Sequence, residues 1–153
     1  MSSDRALMCP SVPPHYPDAV AFGVVAGSAE APDMVPLIPP VPVTDELLAM
    51  AAPVSPGEVF RFAAGCIQGG CRHWEVDAQR CRLVAKTVAL TPVVVEKLRP
   101  CAIRSDCRWW RQEGKAACVR CPQVASSDPS RSGVMALAAS AAYEPPDRTA
   151  ANA

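Results

Sequence analysis

Apolar and polar positions alternate most clearly at Glu58-Val-Phe-Arg-Phe62, and that two-residue period predicts a short strand. Thr44 stands ahead of Asp45-Glu-Leu-Leu-Ala-Met50, and a hydroxyl cap before two acids predicts a short helix over residues 45–50. Residues 82–99 carry most of the aliphatic side chains found between residues 58 and 121. Within them Thr91 and Pro92 fit the N-cap and first position of a helix over residues 93–98, which Pro100 would stop. An alanine-rich stretch over residues 134–143 predicts at most a transient helix, because it is too short to hold alone.

Composition limits how much of this pattern can pack. Of 17 prolines, 11 precede Gly57, and aromatic residues make up 5% of the 153-residue chain. The 50% hydrophobic content leans on alanine, which buries little surface. Residues 1–57 therefore read as a proline-rich disordered arm. Pro10-Ser-Val-Pro13, Pro14-His-Tyr-Pro17, Pro36-Leu-Ile-Pro39 and Pro53-Val-Ser-Pro56 favour extended polyproline II structure, serving as a spacer or as a ligand for an aromatic groove. Residues 122–153 read as a disordered tail. Residues 58–121 are left as a cysteine-rich metal-binding core. The expected fold is a small metal-stabilised domain, irregular, with short helices, little strand and long disordered flanks.

Charge sharpens that division. Net charge is zero, yet the core holds twelve Lys/Arg against six Asp/Glu, and the flanks hold three against nine. A basic core suits a polyanion, or supplies counter-charge for thiolates. No apolar run approaches the roughly 20 residues of a membrane span. The run over residues 19–27 follows a proline-rich rather than basic lead and abuts Asp18, unlike a signal peptide. These features favour the cytoplasm, where structural disulfides are rare.

Seven of the eight cysteines fall in the core, in two similar halves. The first runs Cys66, four residues, Cys71-Arg72-His73-Trp74, six residues, Cys81. The second runs Cys101, five residues, Cys107-Arg108-Trp109-Trp110, seven residues, Cys118, and adds Cys121. The second half thus offers four thiolates. The first offers three, with His73 or the remote Cys9 as the fourth donor.

A core this small needs bridging chemistry. Zinc takes tetrahedral thiolate and imidazole ligands, usually from paired Cys-x-x-Cys knuckles, and only Cys118–Cys121 is such a pair. An iron–sulfur cluster accepts more irregular spacing. Over two residues, Cys121-Pro122 resembles the closing ligand of bacterial ferredoxins; the remaining spacing differs. Arg72, Arg104, Arg108 and Arg120 lie within three residues of these cysteines and would offset cluster charge. An even cysteine count also suits a disulfide framework. The reading is a small iron–sulfur protein for electron transfer or redox sensing. Its candidate ligands are Cys101, Cys107, Cys118, Cys121, Cys66, Cys71, Cys81 and His73. The alternatives are a zinc-stabilised module that contacts nucleic acid or a protein, and a disulfide-rich protein.

The three tryptophans either stack on bases beside the arginines or pack over the metal. No nucleotide, zinc-hydrolase or nucleophile-elbow motif is present: Trp109 stands where a Walker loop ending in Gly114-Lys115 requires glycine. The sequence leans against an enzyme and leaves the redox or protein partner unnamed.

Overall fold

The computed structural model describes residues 7–28 and 30–123. Four strands form one antiparallel sheet: β1 (Met8–Cys9), β2 (Val20–Gly27), β3 (Pro32–Pro42) and β4 (Phe60–Gly65), in the order β1-β4-β2-β3. Helix α1 (Asp45–Ala49) joins β3 to β4. A two-stranded hairpin, β5 (Trp74–Glu75) and β6 (Arg80–Cys81), leads into α2 (Arg82–Leu90). Helices α3 (Arg108–Glu113) and α4 (Lys115–Cys118) follow.

This sheet overturns the expectation of an irregular, metal-stabilised domain with little strand, and with it that of a disordered N-terminal flank. Most of residues 7–57 belongs to the fold. Proline lacks the N–H of a sheet ladder and is tolerated on edge strands. β3 is such an edge, and it takes Pro32, Pro36, Pro39, Pro40 and Pro42 with only β2 beside it. Among the described residues no disulfide forms, and no group of three or more His, Cys, Asp or Glu side chains is arranged to hold a metal ion. The expected tail, with its alanine-rich helix over 134–143, lies outside the described residues.

Apolar side chains pack on both faces of the sheet. Along β4, Phe60, Phe62 and Ala64 join one buried cluster with Val12 and Ala21, against which Leu47 and Leu48 of α1 pack. Ala63 belongs to the opposite cluster, with Phe22, Met34, Leu83, Val84, Ile103, Trp109 and Ala117. Each fully buried side chain of the size of Leu or Phe contributes about 1.5–3 kcal/mol. β2 changes register between Ala21 and Gly23 against both neighbours. Gly23 then lets the Met34 side chain cross β2, since a Cβ there would lie 2.3 Å from Met34 Sδ.

The alternation at Glu58-Val-Phe-Arg-Phe62 becomes a strand that starts two residues later, at Phe60. Thr44 caps α1 as its sequence predicts, Oγ1 accepting from the Leu47 N–H at 3.1 Å. The helix expected over residues 93–98 is absent. The helical turns lie earlier, in α2, where Leu83, Val84 and Thr87 are buried. Thr91 closes that helix, its N–H and Oγ1 both donating to Thr87 O. Three consecutive valines after Pro92 disfavour a helix. Instead the N–H groups of Val94 and Val95 reach Val119 O.

Two cysteine quartets as candidate metal centres

The fold divides the eight cysteines into two groups of four. Cys9, Cys66, Cys71 and Cys81 line one cavity of about 390 Å³. Cys101, Cys107, Cys118 and Cys121 line a second, narrower one of about 40 Å³. The interactions between thiols respect this partition. Cys9 and Cys81 feel Cys66 and Cys71, and Cys9 also feels Cys81. Cys107 feels Cys121 and Cys101, and Cys118 feels Cys121 and Cys101.

Strand pairing brings Cys9 to the first group. β1 lies antiparallel to β4 with Cys9 opposite Ala64, and the Cys66 N–H donates to Leu7 O at 2.8 Å. Cys71 follows a tight turn over Gln68–Gly70, and the β5–β6 hairpin returns the chain so that Trp74 pairs with Cys81. Cys81 is also the N-cap of α2. In the second group Cys107 follows the turn Arg104–Asp106 and is the N-cap of α3, Cys118 ends α4, and Cys121 opens the turn Cys121–Gln123. The repeated halves share one piece of geometry. The second cysteine of each closes a tight turn, the Cys71 N–H donating to Gln68 O at 2.8 Å and the Cys107 N–H to Arg104 O at 3.1 Å. Beyond it one half forms a hairpin and the other a helix.

Burial first, then the neighbouring cysteines, raises the thiol pKa values. Cys81 is pushed up to about 11 and Cys107 to about 12, and Cys9, Cys101 and Cys118 are raised as well. Backbone amides oppose the rise. Ser11 N–H points at the Cys9 sulfur, Val84 and Leu83 at Cys81, Ile103 and Arg104 at Cys101, and Trp110 and Trp109 at Cys107. Such donors favour a thiolate over a thiol. A metal bound among these sulfurs would supply the remaining drive to deprotonate.

His73 lines the first cavity, buried, with both ring nitrogens lacking a hydrogen-bond partner. Burial, then the charges of Arg72, Lys86 and Arg82, lowers its pKa to about 4, so the imidazole is neutral. Of the two sequence candidates for the fourth donor, Cys9 is the one whose thiol interacts with Cys66, Cys71 and Cys81. Trp109 and Trp74 are buried and Trp110 is half-buried, with Arg104 and Arg108 lying over Trp110 and Trp74 at 5.7 and 4.9 Å. Arg104 also bonds to the Cys118 sulfur. Arg120 instead donates to Thr91 O and Ala116 O, both at 2.8 Å, which is a structural role.

Sequence reasoning did not find Arg61. It is 2% exposed and reaches from β4 toward the cysteine layer. There it donates to Pro10 O at 2.9 Å and to Cys121 O, with its guanidinium 5.7 Å from the Phe22 ring centroid. The signal was an arginine inside an otherwise apolar strand. Among the described residues no helix is long and apolar enough to cross a membrane. Comparisons of the chain with family models, with curated proteins and with solved structures gave no match.

Proposed function

We propose that this chain is a small iron–sulfur protein that transfers electrons or senses redox state, with one cluster in each cysteine quartet. The carrying observation is the four-and-four division of the cysteines around separate cavities, with amide donors aimed at the sulfurs. Zinc would need four donors converging at about 2.3 Å from one point. A cluster of several irons is larger than one ion, and its four thiolates stand correspondingly further apart. In this reading Cys9 completes the first quartet and His73 lies in its wall. Arg104 and Arg108 offset part of the anionic charge, which raises a cluster's reduction potential.

The test is anaerobic purification of the full chain from iron-replete cells, followed by iron and acid-labile sulfide analysis and an absorption spectrum. A brown protein with broad visible absorption bleached by dithionite, and iron and sulfide in equal amounts, is the expected result. A colourless protein carrying stoichiometric zinc would replace this reading with the zinc module.

A further inference from the structure

The two quartets lie side by side. Cys9 lines the first cavity, and the next residue, Pro10, lines the second. Met8 of β1 forms a parallel bridge with Cys107 of the second quartet. Paired strands stand about 4.8 Å apart and rise about 3.3 Å per residue, so the Cα atoms of Cys9 and Cys107 are about 6 Å apart. Arg108, adjacent to Cys107, crosses the other way to line the first cavity. Gln112 of α3 clamps Cys81 of the first quartet, accepting from its N–H at 2.8 Å and donating to its carbonyl at 2.9 Å. Arg61 binds the carbonyls of Pro10 and Cys121. The Cys9–Pro10 peptide, the Met8–Cys107 bridge, Arg108 and the Gln112 clamp on Cys81 therefore join the two sites, while Arg61 ties together two residues of the second, Pro10 and Cys121.

Resting on the cluster reading above, we propose that the two sites form a coupled two-centre relay, in which an electron delivered to one cluster passes to the other within the chain. The donor is a one-electron reductant and loses one electron. The receiving cluster gains it and passes it to the oxidised neighbour, and no bond or proton changes hands. The Cys9–Pro10 peptide and the Met8–Cys107 bridge are the shortest connections. Two reducing equivalents can then be held at once, in a protein of this size, at centres close enough to feel each other's spin and charge.

Electron paramagnetic resonance of the full chain, reduced completely with dithionite, tests the relay. The spectrum should show splitting from spin–spin interaction that keeps the same width in field units at two microwave frequencies. Cys9→Ser and Cys118→Ser, each keeping one cluster, should give simple unsplit signals whose sum does not reproduce the parent. The two-frequency measurement needs only the parent protein, so it stands even if a variant misfolds. Two loaded clusters whose features all scale with frequency would overturn the relay while leaving the cluster reading intact. A parent protein that binds no iron would overturn both.

Discussion

Replacing Arg61 should cost more than replacing any exposed arginine of the chain. Its guanidinium is buried and supplies both Pro10 O and Cys121 O with a donor. Arg61→Met keeps most of the apolar volume beside Phe22 but leaves those two carbonyls unpaired. A buried acceptor without a partner costs about 1–3 kcal/mol. Relief from burying the charge offsets part of the sum, so the net loss should be about 2–4 kcal/mol. For a domain of this size, each kcal/mol moves the melting temperature by about 4 °C or more. A fall on the order of 8–16 °C follows by the same scaling. Arg61→Lys, with one ammonium able to reach one carbonyl well, should fall between parent and Met. Urea unfolding followed by circular dichroism measures all three. A Met variant within about 0.5 kcal/mol of the parent, the range of ordinary surface substitutions, would refute the assignment of Arg61 as the tie between strand and cysteine layer.

Further outcomes concern the sheet and the thiols. A chain beginning at residue 55 lacks β1, β2, β3 and Cys9, and should show no cooperative unfolding transition; a stable fragment would mean that β4 and the helices pack without the sheet. Metal-free, reduced protein should keep its strand signal in circular dichroism, because both faces of the sheet bury apolar side chains; collapse to a coil spectrum on chelation would contradict that. The raised pKa values of Cys81 and Cys107 give the metal-free protein a pH dependence of known sign. Folded thiols that hold protons to about 11 and 12, against 9.0 ordinarily, stabilise fully below about pH 9 and lose that contribution as pH rises toward those values. Urea midpoints should thus fall between pH 9 and 11, and a rising midpoint there would contradict the burial of these thiols.

What could be read from the sequence was local. The strand at Phe60, the Thr44 cap and the three-cysteine halves are set by neighbours a few residues apart. So was the second quartet, which closes within residues 101–121. The proline-rich segment was misread because edge position decides whether a proline-bearing strand is tolerated, and an edge exists only once β2, β4 and β1 are in place. Cys9 was left as one option of two, because strand pairing across more than fifty residues brings it to Cys66. One arithmetic hint was present: the first half lacked a thiolate, and Cys9 was the cysteine left over. The placement of a helix at residues 93–98 failed because Thr91 and Pro92 suit a helix start, whereas Thr91 here ends α2. Arg61 entered only as the polar position of an alternating segment and as one of twelve basic residues, since its sequence neighbours do not reveal the carbonyls of Pro10 and Cys121 that it meets across the core.

The most direct test of the two-quartet account is iron content in Cys9→Ser compared with the parent, both purified without oxygen. Cys9 lies 57 residues from Cys66 in sequence, and only the fold makes them neighbours. Loss of about half the iron, with the signal of the second quartet retained, is expected, because removing one of four thiolates opens the first site and leaves Cys101, Cys107, Cys118 and Cys121 untouched. A Cys9→Ser protein that keeps its full iron would contradict the assignment of Cys9, and with it the division of the cysteines into two complete sites.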